Sequence, residues 1–390
     1  MMARQLFTGA EVFDGRRLGP GSVLVEDGRI AAILPAGARA PGAEPVPLDG
    51  GILAPGFVDL QLNGGDGIMF NDDPSVATLE RMARAHAGLG ALMILPTLIT
   101  DTPEQTRVAI EAVVSAVAAG VPGIAGLHLE GPHLSLARKG AHDPALIRPM
   151  RPDDLAALVS AARRLPRLMV TLAPESASPQ DIAALTAAGA IVSLGHTDAS
   201  LAAASAAADA GARVVTHLFN AMSPLGNREP GLVGAGLSRG TLDCGLIADG
   251  FHVHPATMAL ALAAKVGPGE IFLVSDAMAP AGSAISAFRL NGREILCRDG
   301  RLTLADGTLA GADLDLARAL RVMTREVGIA LDRALAMATR IPARVIGLAG
   351  QAGSLAPGRA ADMIHLSASV HLKAVWRNGR AVPLSPTRGG

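Results

Sequence analysis

Eight short, continuously apolar runs recur through the middle of this chain, each followed by a longer segment. They are GFVDL (Gly56 to Leu60), LMILPTL (Leu92 to Leu98), IAGLHLE (Ile124 to Glu130), LMVTLAPE (Leu168 to Glu175), IVSLGH (Ile191 to His196), RVVTH (Arg213 to His217), GLIAD (Gly245 to Asp249) and IFLVSD (Ile271 to Asp276). Many of the intervening segments are alanine-rich and amphipathic, as in VATLERMARAHAGLG, TPEQTRVAIEAVVSAVAAG and DASLAAASAAADAG. A strand that is apolar on both faces belongs in a parallel sheet covered on both sides, and parallel neighbours need crossover helices. Eight such units within about 220 residues predict an α/β fold of the (β/α)8, TIM-like barrel type. A doubly wound open sheet is the alternative. Its dinucleotide-binding version has no support, because no G-x-G-x-x-G follows the first run.

Both ends of the chain read as β. Gln5 to Val12, Ser22 to Gly28 and the run RIAAIL are short apolar stretches with D-G turn signals. Near the other end, Ala361 to Leu366 and the segment LKAVWRNGRAV, with its N-G turn at Asn378, read the same way. The simplest arrangement pairs the two ends into one small β-sandwich. Residues 1–53 and 350–390 then form that domain, and residues 54–349 form the barrel inserted between its halves.

Charge excludes several function classes. The chain has 34 basic and 35 acidic residues, a formal net charge of −1, and only 2% aromatic residues with no tyrosine. No nucleic-acid partner is expected, since phosphate-backbone binding needs a basic surplus and base stacking needs aromatic platforms. No membrane partner is expected either: the run around LGALMILPTLIT is interrupted by Pro96 and is short of a spanning helix. The N-terminal MMARQLFTGAEVFDG lacks the apolar core of a secretion signal. Cys244 and Cys297 stand alone with no C-x-x-C, so a cysteine zinc site is not expected. A cytoplasmic location is the expectation.

The polar residues fall at the carboxyl ends of the apolar runs. Gln61 and Asn63 follow the first, Glu130 ends the third, Glu175 the fourth, His196 the fifth and His217 the sixth. Asp249 and His252 come at and after the seventh, and Asp276 ends the eighth. In a barrel these positions share one rim, where active sites form. Glu130, His196 and His217 supply one carboxylate and two imidazoles, a set suited to a catalytic divalent ion with an open coordination position. Such an ion acidifies water, and Asp276 could accept the proton and return it to a leaving group.

The chain resembles the amidohydrolase superfamily and, within it, the N-acetylglucosamine-6-phosphate deacetylases. The resemblance is carried by PGFVDLQLNGGDG (Pro55 to Gly67), GLHLEGPHLSLARKGAHDP (Gly126 to Pro144), TLAPE (Thr171 to Glu175) and SLGHTDAS (Ser193 to Ser200). It continues through THLFNAMSPLGNREPGLVG (Thr216 to Gly234), DGFHVHP (Asp249 to Pro255), LVSDAMAPAG (Leu273 to Gly282) and DGTLAGADLDLA (Asp306 to Ala317). It implies deacetylation of N-acetylglucosamine 6-phosphate to glucosamine 6-phosphate and acetate. Glu130, His196 and His217 correspond to the metal ligands, Asp276 to the general base and acid, and His142 to the group that polarises the acetyl carbonyl. Asn220, Ala221 and Arg228 correspond to phosphate contacts. His252 corresponds to a phosphate contact lent by the neighbouring subunit of a homodimer.

Most superfamily members carry H-x-H after the first strand to build a second metal position. Here the segment is Gln61-Leu62-Asn63, and no lysine ends the fourth strand. The expectation is therefore one divalent ion per subunit, zinc first, with iron, cobalt or manganese compatible with the same ligands. His128 shares a strand face with Glu130 and reads either as a residue supporting the metal site or as packing. Glu175 reads either as a structural carboxylate or as a weak second-site ligand. Asp313 and Asp315 read as caps for the helix after the eighth strand. The competing functions are a cyclic-amide hydrolase or deaminase, and a non-catalytic scaffold.

Overall fold

The computed structural model describes residues 4–290 and 292–387. All eight apolar runs are strands of one parallel sheet: Phe57–Leu62, Ala91–Ile99, Leu127–Glu130, Leu168–Leu172, Ile191–Leu194, Val214–Val215, Asp243–Leu246 and Ile271–Leu273. They pair in chain order. The first and last strands close the barrel through a parallel bridge between Leu62 and Ala277. Asn63 N–H donates to the Ala277 carbonyl at 2.7 Å, and Asp276 N–H to the Gln61 carbonyl at 2.9 Å, across the same seam.

The crossover helices form where the apolar spacing and the caps allow. Val76–Gly88 starts at Ser75, whose hydroxyl accepts from Thr78 N–H, and Leu316–Arg325 starts at Asp315, which accepts from Arg318 N–H. Thr102 and Ser200 cap in the same manner. These caps satisfy backbone donors that the first helical turn leaves unpaired. The helix Val76–Gly88 buries Leu79 and Met82 completely, each contributing about 2 kcal/mol by its removal from water.

The chain termini build two sheets. One pairs Arg29–Leu34, Ser22–Glu26, Gln5–Thr8 and Glu44–Pro47 in that order. The other combines Arg380–Val382, Leu372–Arg377 and Met363–Leu366 with Ile52–Pro55, Glu11–Phe13 and Leu18–Pro20. Val12, Val25, Met363 and Trp376 share a core of their own, and Phe7 meets Trp376 edge to face at 5.1 Å.

One element is absent from the sequence expectations. After the eighth strand, Ala287–Leu290, Arg293–Arg298, Arg301–Thr303 and Leu309–Ala312 form a separate four-stranded antiparallel sheet. Its buried side chains Leu290, Ile295, Leu302 and Ala310 pack with Met69, Ile99 and Met278 of the barrel rim. The Arg293 guanidinium donates to the Ala141 carbonyl, which ties this sheet to the segment that carries His142. Among the described residues, no helix is long and apolar enough to cross a membrane.

Candidate functional site

Three of the rim residues bring their ligand atoms to one point. Glu130 Oε1 lies 3.1 Å from His196 Nε2 and 3.0 Å from His217 Nε2, and the two nitrogens are 3.1 Å apart. All three side chains are buried. The backbone contributes: His196 has φ +48°, His217 +28° and Asp276 +49°, left-handed conformations that a non-glycine residue holds only under restraint. These turns take the chain out of the strand and aim the side chains across the barrel mouth.

The triangle has a proton deficit. His196 Nδ1 lies 2.9 Å from the Arg138 carbonyl, which can only accept, so the ring proton sits on Nδ1 and Nε2 presents a lone pair. That lone pair faces the Glu130 carboxylate and the second imidazole. A carboxylate oxygen and two imidazole nitrogens held this close repel one another unless a proton on His217 or a metal cation lies between them. Ligand atoms placed tetrahedrally at 2.0–2.1 Å from zinc are about 3.3 Å apart, close to the spacing found here. The residues therefore fit a divalent metal. Burial raises the Glu130 carboxyl, but contacts with His196 and His217 outweigh it and hold the group well below its ordinary range. Burial lowers His217, and the Glu130 contact reverses this, leaving its pKa raised. A proton on His217 is thus the competitor of the metal ion.

Glu130, His142 and His196 also place ligand-type atoms within 4.8 Å of one another. The tighter triangle with His217 is the better chelate, because its edges already match one coordination sphere. His142 has a different arrangement. Its Nδ1 accepts from the Thr100 hydroxyl at 2.7 Å and faces Thr100 N–H at 3.4 Å, which leaves the ring proton on Nε2. Burial, then the nearby His196, pushes its pKa down to about 3, so it is a neutral N–H donor.

Two neutral amides grip the carboxylates. Gln61 Nε2 donates to Glu130 Oε1 at 3.1 Å, and Asn63 Nδ2 donates to Asp276 Oδ1 at 2.8 Å. Asp276 is 8% exposed. Burial, then the charge of Glu130, raises its pKa to about 6, which leaves it a carboxylate able to take up a proton near neutrality.

These groups share a cavity of about 410 Å³, within the range of small-molecule sites. Asn220, Ala221 and His252 line it, together with Leu290, Thr308, Leu309 and Gly311 of the added sheet. A larger cleft of about 670 Å³ beside the helix Leu316–Arg325 mixes Arg298, Arg318 and Arg321 with Asp299 and Asp315 and holds no comparable cluster of facing lone pairs.

The other expected site residues are placed as follows. His252, expected to serve a neighbouring subunit, lines the cavity of its own chain. Asp249 accepts from its Nδ1 at 2.6 Å and from its backbone N–H at 2.8 Å, which fixes the ring there. Arg228 is exposed and is not among the residues lining the cavity. The Asn220 amide donates to the carbonyls of His217 and Leu218, both at 3.3 Å, so it braces the ligand turn. Glu175 accepts from Asp198 N–H at 2.6 Å and from the Thr197 hydroxyl; it anchors the loop after His196 and is not part of the ligand triangle. His128 is buried below Glu130, with Nδ1 on the Leu60 carbonyl at 3.1 Å and Nε2 on the Thr171 hydroxyl at 2.7 Å.

Sequence reasoning missed Thr100, the Arg138 carbonyl and the added sheet. The first two act through partners distant in the chain and leave no local signature. The sheet has one: Asp299-Gly300 and Asp306-Gly307 are turn dipeptides at the spacing of a β-meander.

The chain is similar to known proteins over most of its length. Residues 52–382 match the amidohydrolase family. The chain is 43% identical over 334 residues to the N-acetylgalactosamine-6-phosphate deacetylase of Shewanella sp. (strain ANA-3), covering 85% of this chain and 83% of the relative. It superimposes on the crystal structure of N-acetylglucosamine-6-phosphate deacetylase from Pasteurella multocida with a TM-score of 0.92 and 34% identity, covering 97% of this chain and 99% of that one. It is equally similar in sequence, at 34% identity and a TM-score of 0.89, to an aspartate-to-alanine mutant of the Mycobacterium smegmatis N-acetyl-D-glucosamine-6-phosphate deacetylase in complex with N-acetyl-D-glucosamine-6-phosphate, covering 97% of this chain and 99% of that chain.

Proposed function

The chain belongs to the amidohydrolase family, and from that premise we propose that it hydrolyses the acetamide of N-acetylglucosamine 6-phosphate, releasing acetate and glucosamine 6-phosphate. The observation that carries this reading is the triangle of Glu130, His196 and His217 beside the proton-accepting Asp276. A divalent cation held there supplies Lewis acidity toward the acetyl carbonyl and acidifies the attacking water. Zinc is the first candidate, one ion per subunit, because Gln61 and Asn63 meet Glu130 and Asp276 as neutral donors where a second ion would need ligands.

Asp276 takes a proton from the attacking water. The water oxygen bonds to the acetyl carbon, and the carbonyl electron pair moves onto its oxygen. The neutral His142 then donates Nε2–H to that oxygen, the position where charge develops. As the carbon–nitrogen bond breaks, Asp276 returns the proton to the leaving nitrogen. Asn63 holds one oxygen of Asp276, which leaves the other for proton transfer.

The 6-phosphate is assigned to the cavity wall of Ala221 and His252, with Asn220 alongside holding the ligand turn. The exposed Arg228 is assigned to the phosphate of a second copy, so a homodimer forms part of the proposal. Support comes from the helix Pro255–Ala264, which carries no charged residue, and from apolar side chains left open on it and just after it, Leu260 at 70% and Val266 at 51% exposure. The cytoplasm is the proposed location.

A second reading has its own observation. The relative from Shewanella carries the galactosamine name at 43% identity, so the 4-epimer, N-acetylgalactosamine 6-phosphate, is the alternative substrate of the same site. The test is acetate release from both sugar phosphates before chelation, after chelation and after zinc add-back. Turnover lost on chelation and restored by zinc supports the reaction, and the ratio of kcat/KM values assigns the epimer. No acetate from either sugar in the zinc-loaded protein refutes both readings.

A further inference from the structure

We propose that Thr171, Thr216 and Ser193 form, with His128, a hydrogen-bonded spine inside the barrel that positions the ligand pair Glu130 and His217. The proposal rests on the metal reading above.

The four side chains lie on four successive barrel strands or their ends and are almost fully withdrawn from solvent, with Thr216 the most exposed at 3%. Thr171 Oγ1 is 2.7 Å from His128 Nε2, Thr216 Oγ1 is 2.7 Å from Thr171 Oγ1, and Ser193 Oγ is 2.5 Å from Thr216 Oγ1. The direction of the chain is set at one end. His128 Nδ1 faces the Leu60 carbonyl at 3.1 Å, which only accepts, so Nδ1 holds the ring proton and Nε2 must accept. Thr171 therefore donates to His128, Thr216 donates to Thr171, and Ser193 donates to Thr216. None of the four leaves a polar atom without a partner.

Packing alone does not call for this arrangement. Barrel interiors are filled mainly by branched apolar side chains, and a buried polar network is costly unless every member is satisfied. The spine has a location that gives it a use. His128 lies two residues before Glu130 and on the same strand face. Thr216 directly precedes His217, whose backbone is held at φ +28°. The spine thus joins, below the site, the two elements whose ligand atoms lie 3.0 Å apart above it. There is no slack between them: a Cβ added at Gly195 would lie 2.8 Å from Thr216 Cβ and 3.0 Å from Thr171 Cγ2. Thr171 and Thr216 are positioning residues in this account, since they act through Glu130 and His217.

The test is the zinc affinity of metal-free protein, measured by competition with a chromophoric chelator, with thermal unfolding of the same samples alongside. Thr171→Val and Thr216→Val are each expected to weaken zinc binding about tenfold, the lower end of what loss of a supporting hydrogen bond costs a metal site. The double variant should lose no more than the worse single one, because both break one chain. Ser193→Ala, which removes only the terminal donor, should lose less, and Thr216→Ser should restore wild-type affinity. Thr339→Val deletes a buried hydroxyl off the spine, one that donates to the Leu335 carbonyl at 2.6 Å, and should lower the melting temperature without moving zinc affinity. Where a valine variant does not fold, Thr216→Ala is read the same way. Unchanged zinc affinity in the Thr171 and Thr216 variants, whatever their melting temperatures, overturns the spine. A wild-type protein that binds no zinc refutes instead the metal reading on which it rests.

Discussion

The two ends of the barrel carry charged clusters of similar size and opposite logic. At the amino-terminal end of the strands, Arg344 meets Asp243 at 2.6 Å and Glu270 at 3.3 Å, Arg340 meets Glu270 at 3.4 Å, and Asp243 accepts from Glu270 N–H at 2.7 Å. Each carboxylate there has a guanidinium. At the carboxyl end, Glu130 meets two imidazoles, one of which offers it a lone pair, and among the described residues no arginine or lysine pairs with it. The lower cluster is balanced in charge as it stands and binds the last helices to the barrel. The upper cluster is complete only with a cation. Electrostatics that the fold leaves unresolved mark the end where chemistry occurs.

This contrast can be broken by substitution. Glu130→Gln should reduce acetate release to background and abolish zinc binding, while the melting temperature of the metal-free protein at pH 8 changes little; metal analysis and calorimetry check the pair of results. Asp276→Asn should lower kcat by about 10³, the scale of a lost general base, and retain zinc. His142→Phe should lower kcat by about 10², the lower range for removing one donor to a developing oxyanion, with KM little changed. The pH profile sharpens the same end. Asp276 works as a carboxylate, and its pKa is raised to about 6. Activity is therefore present above that value and falls tenfold per pH unit below it. A bound cation favours the carboxylate and can only move this limb lower, so a limb well above pH 6 assigns it to another group. The smallest effect belongs to the lower cluster. Asp243→Ala should cost about 1 kcal/mol of stability, below the usual range for a hydrogen bond to a charged group, since Arg344 is 38% exposed and its pairing is screened. Its kcat should equal that of the wild type.

The same contrast explains what could be read from sequence. The eight strands were legible because burial on both faces forces continuous apolar runs, and the rim residues were legible because they interrupt those runs at one end. Even the strand Ala91–Ile99 tolerates Pro96 inside it, at a register shift against the first strand, where a ladder donor is not required. The sheet from Ala287 to Ala312 was not legible as such: its strands are short and partly exposed, and they carry Arg293, Glu294, Arg298 and Arg301, so no apolar run announces them. The orientation of His142 by Thr100, of His196 by the Arg138 carbonyl, and of His252 by Asp249 depends on which groups meet in space. Rim position and the resemblance brought His252 to notice, but not the aspartate that fixes its ring.

The central claim is that Glu130, His196 and His217 enclose one cation. The direct measurement is the metal content of protein purified without chelators, by elemental analysis, beside Glu130→Gln prepared identically. The account predicts one divalent ion per chain, absent from the variant. A metal-free wild type, or two firmly held ions per chain, would contradict it.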